Sequence, residues 1–421
     1  MSTGEATSFG NISASKLAEI YGTPLLVIDG AVLTAAINEF VSASASTEVE
    51  VTYAGKALLL VGIAQLLKES RLRLEVCSLG ELTTAQRAGF PPSRIDLHGS
   101  GKTDAELRAA ADGAVSRTIV DGIAELRALA SYASPSSPVA ILMRINSGIE
   151  ARTHAFVRTA GDQTKFGITP RDFSTAARII QDNAALNFRG LHSHIGSQIS
   201  DAKAFIRNAA RLVDAAARLK RLGLFTSDLV VGGGFAVRSR PSERAPLDVK
   251  RTIASIAQEV RKRSKARGIV LPTVGIEPGR ALIAPAGTLL YRVMARKRQG
   301  RRTFVIVDGG MADNPRPALY GAHPDAKLAG RRSNVRLEMV TICGRSCEND
   351  FITDVRLARD VTVGDILAMP MTGAYTYSMA SNYNRFPRPA VVYAHGGNHQ
   401  LMARRETIDD VLRGDVGFLS V

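Results

Sequence analysis

Residues 51–90 read VTYAGKALLLVGIAQLLKESRLRLEVCSLGELTTAQRAGF, and this stretch holds the repeating unit of the chain. Val51–Ala54 and Leu74–Cys77 are short, continuous apolar runs, the pattern of strands buried on both faces. Ala57–Ser70 and Gly80–Gly89 carry apolar residues at helical spacing. The same beat continues outward. Strand-like runs recur at Ile95–His98, Thr118–Val120, Val139–Ile145, Phe188–His194, Asp228–Val231 and Thr273–Glu277. Helical stretches lie at Asp104–Asp112, Ile123–Ser134, Arg171–Asn183, Ala202–Leu222 and Asp248–Arg267, and one more, Ala31–Ala45, precedes the first strand. Asp104 and Asp121 stand where helix N-caps belong. Gly89, Gly113, Gly223 and Gly268 stand where helices stop. Eight strands alternating with helices over about 250 residues predict a closed (β/α)8 TIM-type barrel. An open doubly wound sheet is the alternative.

After Pro285 the beat changes. Gly287–Met294, Thr303–Val307, Val335–Cys343 and Asp365–Met369 follow one another with turns and no long helix, which reads as a mostly antiparallel β-barrel or sandwich domain. Leu25–Asp29 is a strand outside the eight and suits that second domain. The expected division is 31–285 for the barrel, with 1–30 and 286–421 forming the β domain.

The length of 421 residues fits two or three domains, and 45% hydrophobic with 22% charged residues is ordinary for a globular chain. No apolar window is long enough for a membrane span. Met1 to Asn11 is polar and lacks the pattern of a secretory leader. Three cysteines, Cys77, Cys343 and Cys347, are too few and too uneven for a disulfide framework, so the expected compartment is the cytoplasm. The net charge of +15 is spread along the chain without aromatic–basic interleaving, so it reads as a solvated surface and not as a nucleic-acid site.

A barrel carries its chemistry where strands end. The first strand ends in Tyr53-Ala-Gly-Lys56-Ala, the sixth in His192-Ser-His194-Ile-Gly-Ser197-Gln198, the seventh in Gly232-Gly-Gly234-Phe, and the eighth in Glu277-Pro278-Gly279-Arg280. An amine in a small apolar setting, an imidazole, a run of backbone amides and an acid beside an arginine thus share one rim. Singly each has a bland reading: a solvated lysine, a tight turn, a helix cap. Together they suit pyridoxal phosphate, which needs a lysine, backbone amides for its phosphate and an acid facing its ring nitrogen. His192 and His194 are not expected to hold a metal. Gly99-Ser-Gly101-Lys102-Thr103 looks like a phosphate loop, but Asp96 stands where the first glycine is required.

These four motifs, in this order, resemble those of the barrel-type pyridoxal phosphate decarboxylases, and among them the diaminopimelate decarboxylase family. The resemblance runs over nearly the whole chain. It includes Tyr21-Gly-Thr-Pro-Leu, Lys165-Phe-Gly, Asp308-Gly-Gly, Arg316-Pro-Ala-Leu-Tyr320, Cys347-Glu348-Asn-Asp350, Gly373-Ala-Tyr375 and Ser381-Asn-Tyr-Asn384. It implies a carboxy-lyase that turns meso-2,6-diaminopimelate into L-lysine and carbon dioxide. It also implies a homodimer with shared active sites. By resemblance, Lys56 carries the cofactor and His194 stacks on its ring. Ser197, Gly234 and the Glu277-Pro278-Gly279-Arg280 segment surround it, with Glu277 at the ring nitrogen. Tyr375 touches cofactor and substrate. Arg280, Arg316 and Tyr320 bind the retained carboxylate, Glu348 the distal ammonium, and Cys347 donates a proton. The sequence departs from the family at Glu75, where a shorter acid is common, at Leu79, at Gly344-Arg345-Ser346 and at Thr376-Tyr377. These bear on substrate preference, because related decarboxylases act on ornithine, arginine, D-amino acids or carrier-tethered amino acids. A racemase would leave Cys347 and Glu348 idle.

Overall fold

A computed structural model describes residues 7–149 and 164–418. It separates into two compact units: residues 36–237 with 244–282, and residues 1–35 with 238–243 and 283–421.

The first unit is the closed barrel. Its strands are Glu50–Ala54, Arg73–Val76, Ile95–Leu97, Arg117–Val120, Val139–Arg144, Leu186–His192, Asp228–Val230 and Thr273–Ile276. All eight pair in parallel, and the last closes on the first through Gly275 opposite Glu50 and Ile276 opposite Val51. Closure excludes the open sheet. Each expected strand is present within two residues at either end. At the far ends Cys77, His98, Ile145, His194, Val231 and Glu277 fall just outside the strands, although the N–H groups of His98, Ile145 and Val231 still bond to neighbouring strands.

Two local expectations change. The stretch read as one helix from Ala57 to Ser70 is a 3-10 turn, Gly55–Ala57, then an α-helix, Val61–Glu69, with Leu58 and Leu60 extended between them. The Tyr53 hydroxyl donates to the Leu58 carbonyl at 2.7 Å, which folds the chain back and leaves Lys56 in the tight turn. The N-caps also shift by one residue. Thr103 caps the helix Asp104–Ala111 in a capping box with Glu106, so Asp104 is its first residue. Gly122 precedes the helix Ile123–Tyr132 without a side-chain cap, and Asp121 binds Arg144 instead. Lys102 is structural: its amine donates to the carbonyls of Gly99 and Ile119 and to Glu125, at 2.6–2.9 Å.

The second unit is built on one long strand, Gly287–Gln299. Its first half pairs antiparallel with Leu25–Asp29 and Ile366–Met369, and its second half with Arg302–Val307. The sheet continues on one side through Leu337–Cys343 to Phe351–Ala358, and on the other through Ala390–His395 to Asn398–Ala403. Two pairings are parallel, Arg302–Val307 with Leu337–Cys343 and Leu25–Asp29 with Ala390–His395. The N-terminal strand therefore belongs to the β unit, as its sequence suggests. The strands Phe351–Ala358, Ala390–His395 and Asn398–Ala403 were not anticipated. Phe351–Ala358 mixes charged with apolar residues, and Asn398–Ala403 is largely exposed and polar, so their apolar signal is weak.

Glu50, Arg73, Arg117 and Asp228 are the first residues of their strands, and Asp96 lies among them inside the barrel. Asp96 accepts from Arg73 at 2.6 and 3.2 Å and from Arg117 at 2.7 and 3.0 Å. Burial pushes the Asp96 carboxyl up, but the two guanidiniums outweigh it and hold it below its ordinary value. A carboxyl whose folded value is lowered stabilises the fold above its unfolded value of about 3.9 and stops doing so as pH falls through the folded value. Arg117→Met is expected to destabilise the protein at pH 7 by about 3 kcal/mol, the scale for breaking a buried ion pair. Urea unfolding of both proteins should show the gap closing only below about pH 4. A gap independent of pH would mean that the loss is one of packing and not of charge.

Candidate active site

The rim is assembled from residues at or just beyond strand ends. Lys56 stands after the first strand with its side chain 36% exposed, and its amine lies 2.5 Å from Oε1 of fully buried Glu75 in the second strand. The Cys77 thiol donates to the same oxygen at 3.3 Å, and burial first, with the acids Glu75 and Glu81 adding, pushes that thiol up, so it stays protonated. After the third strand, Nδ1 of His98 accepts the Gly99 N–H at 2.7 Å. Nε2 of His192 lies 2.8 Å from Oε2 of Glu277 and 3.3 Å from Nε2 of His98. Burial drives Glu277 upward, but the charge and hydrogen bond of His192, with Lys56 behind them, bring it below the ordinary carboxylate range. An ionised acid thus sits deep in the barrel mouth.

His194 is held next to that acid. Its Nδ1 accepts the Gly233 N–H at 3.1 Å, so a neutral ring carries its proton on Nε2. Burial, with Lys56, Arg144 and His192 adding, pushes its value well down and keeps it neutral. Ser197 Oγ receives Nε and Nη2 of Arg280 at 3.3 and 3.2 Å. Arg144 ends the fifth strand, pairs with Asp121 at 3.2 Å and lies 4.2 Å over Phe166. That places the Lys165-Phe-Gly motif on the same unit.

The turn after the seventh strand has no room for side chains. A Cβ on Gly233 would overlap the Glu277 carbonyl, and one on Gly234, at φ +104°, would overlap the Gly196 carbonyl. The chains at Gly196, Gly233 and Glu277 therefore pack backbone to backbone. Bare amides beside Ser197, an amine after the first strand and a buried ionised acid together form the donor set pyridoxal phosphate requires, so these residues fit that cofactor.

The β unit carries the other residues expected at the site. Arg316 and Tyr320 open and close one short helix, Arg316–Tyr320, and Tyr375 adopts a left-handed φ of +57°. Cys347 and Glu348 are exposed on a loop bracketed by Ser346, whose hydroxyl donates to Asp350 at 2.9 Å. Asp350 also accepts the Met311 N–H at 2.9 Å, which ties the loop to the Asp308-Gly-Gly segment. The Tyr383 hydroxyl donates to Glu348. Gly309 and Gly310 pack against the Tyr291 ring and Asp350, where a Cβ would clash. They border a cavity of about 430 Å³ lined by Asp308, Asp313, Arg345 and Asp350 among others. Tyr291 donates to Asp313, whose carboxyl burial pushes up to about 7.

Four groups escaped the reading of sequence. Glu75 figured only as a departure, His192 only as an argument against a metal, Asp121 as a helix cap, and Tyr383 as part of an unassigned motif. Glu75 and His192 share a signal, a polar residue in the last two positions of a buried strand.

A model of the pyridoxal-dependent decarboxylase pyridoxal-binding domain matches residues 32–284. The chain is 39% identical over 418 residues to a diaminopimelate decarboxylase of Bacillus subtilis, covering 97% of this chain and 95% of that one. It is 38% identical over 422 residues to one of Mycobacterium tuberculosis, covering 96% and 94%. The chain belongs to the diaminopimelate decarboxylase family. A solved diaminopimelate decarboxylase from M. jannaschii, in complex with L-lysine, superposes with a TM-score of 0.89 at 29% identity and covers 99% of each chain. One from Helicobacter pylori, also with L-lysine, gives 0.87 at 28%, covering 94% of this chain and 98% of that one. A lysine/ornithine decarboxylase from Vibrio vulnificus gives 0.77 at 21% identity, covering 90% and 97%, a likeness of fold alone. The family is pyridoxal-dependent, and the chain is a carboxy-lyase that uses pyridoxal phosphate.

Proposed function

We propose that this chain decarboxylates meso-2,6-diaminopimelate to L-lysine, the last step of lysine synthesis. The observation that carries the reading is its 38–40% identity to diaminopimelate decarboxylases over 96–97% of its own length. The working parts are the barrel, 31–285, and the β segments, 1–30 and 286–421.

Bound pyridoxal phosphate supplies the electron sink for the pair released when the carboxylate leaves. The residues of the chain do the rest. The Lys56 amine would hold the cofactor, and Glu75 keeps that amine aimed along the rim. The backbone at Gly234, together with Ser197 and the Glu277–Arg280 loop, would hold the phosphate. Neutral His194 would stack on the ring. Ionised Glu277 holds the proton on the ring nitrogen. Arg280, Arg316 and Tyr320 grip the carboxylate that the product keeps, a task that suits planar guanidiniums. Glu348, steadied by Tyr383, takes the distal ammonium, and Tyr375 packs on cofactor and substrate. The Cys347 thiol delivers a proton to the carbon that carbon dioxide has left. A thiol in that role suits a reducing compartment, the cytoplasm.

Carbon dioxide release should be measured on meso-diaminopimelate, ornithine, arginine and D-amino acids. Diaminopimelate is expected to dominate. Arg316→Lys keeps the charge but loses the two-pronged contact, and kcat/KM for diaminopimelate should fall by about 1.5–3 kcal/mol, the worth of a charge-assisted bond. Ornithine as the favoured substrate would overturn the specificity, and an unchanged Arg316→Lys would overturn the carboxylate assignment.

The assembly belongs to the same reading: a homodimer in which Cys347 and Glu348 serve the partner's Lys56. A two-fold interface makes such sharing reciprocal. Lys56→Ala and Cys347→Ala, each inactive alone, should regain about a quarter of wild-type activity when mixed and exchanged, because half the dimers are mixed and each of those has one intact site. Activity that stays at background, with exchange confirmed by mass tagging, would contradict shared sites.

A further inference from the structure

The rim contains a chain of three polar side chains, Glu277, His192 and His98, and the reaction as described uses only the first. Glu277 is 5% exposed, His192 is fully buried and His98 is 6% exposed. A carboxylate removed from water needs a partner to stay ionised. His192 supplies it, with Nε2 at 2.8 Å from Oε2 of Glu277. The other nitrogen of His192, Nδ1, is buried and has no hydrogen-bond partner among the described residues. The polar contacts of the ring therefore gather on Nε2, which lies 2.8 Å from Oε2 of Glu277 and 3.3 Å from Nε2 of His98. His98 packs edge-on against His192, with centroids 4.6 Å apart and planes at 69°, and limits its swing. His98 is itself fixed by the Gly99 N–H on Nδ1 at 2.7 Å.

We propose that His192 is a positioning residue that holds the Glu277 carboxylate in place for the cofactor's ring nitrogen, and that His98 steadies His192 in turn. The inference rests on the reading of Glu277 as the acid opposite that nitrogen. Glutamate has three side-chain torsions, and a donor on Oε2 removes the freedom that would let the carboxylate turn away. The same donor keeps the acid charged in a place where burial alone would protonate it. The other charges near Glu277 are Lys56 at the end of the first strand, whose amine lies 2.5 Å from Glu75, and Arg144 at the end of the fifth, which pairs with Asp121.

The test compares two ligands on the apoprotein by fluorescence titration: pyridoxal phosphate, and its deaza analogue with C–H in place of the ring nitrogen. The wild-type protein should bind pyridoxal phosphate about tenfold or more tightly than the analogue, the scale of a hydrogen bond to a charged group. His192→Leu should bind the two alike. His192→Gln, which keeps an N–H donor near Nε2, should retain most of the preference. Glu277→Gln should lose it. A purely structural role for His192 would weaken both ligands by the same factor and leave the ratio intact. A wild-type ratio in His192→Leu, with Glu277→Gln having lost it, would overturn the role of His192. A wild-type ratio in Glu277→Gln would instead overturn the reading of Glu277, and the inference with it.

Discussion

Gly275 opposite Glu50 and Ile276 opposite Val51 are the register that turns eight strands into a closed barrel. The placement of the barrel residues at the site depends on that closure. A parallel sheet aligns all its strand ends, and closing it brings them onto one ring. Lys56 after the first strand and Glu277 after the eighth are more than two hundred residues apart in sequence, yet their strands are neighbours. Strand alternation decides which side chains face the mouth, and the turns decide how far each reaches.

The two ends of the barrel handle buried charge differently. At the strand starts, Asp96, Glu50 and Asp228 meet Arg73, Arg117 and Arg189, so three carboxylates face three guanidiniums. That network stabilises and offers nothing to a ligand. At the rim the strand ends bring each acid against a nitrogen: Glu75 against Lys56, and Glu277 against His192. Breaking the first pair would free the Lys56 amine, and the second helps keep a buried acid ionised. The Glu348 loop of the β unit follows a third pattern. It is exposed and held by Ser346, Asp350 and Tyr383, which suits a group that must meet a charged substrate.

The barrel could be read from sequence because its strands are buried on both faces, which leaves short apolar runs at even spacing. The strand Ala390–His395 was missed because no such rhythm surrounds it, and Asn398–Ala403 because its pairing rests on backbone bonds and not on apolar side chains. Lys56, His194, Ser197, Glu277 and Arg280 could be singled out because they stand at or just beyond strand ends, and the structure places all five on the barrel unit. Asp121 was misread as a cap because its partner, Arg144, is distant in sequence. His192 was missed for a similar reason, since its value lies in Glu277 at the end of a different strand. Pairings of that kind appear only once the barrel has closed.

The central claim is that Lys56 is the residue that carries the cofactor. Wild-type protein loaded with pyridoxal phosphate should be yellow, and borohydride should bleach the visible band. Digestion and mass spectrometry of the reduced protein should then find one pyridoxyl group, on Lys56. A pyridoxyl group on any other lysine, or protein that remains colourless after loading, would contradict the account.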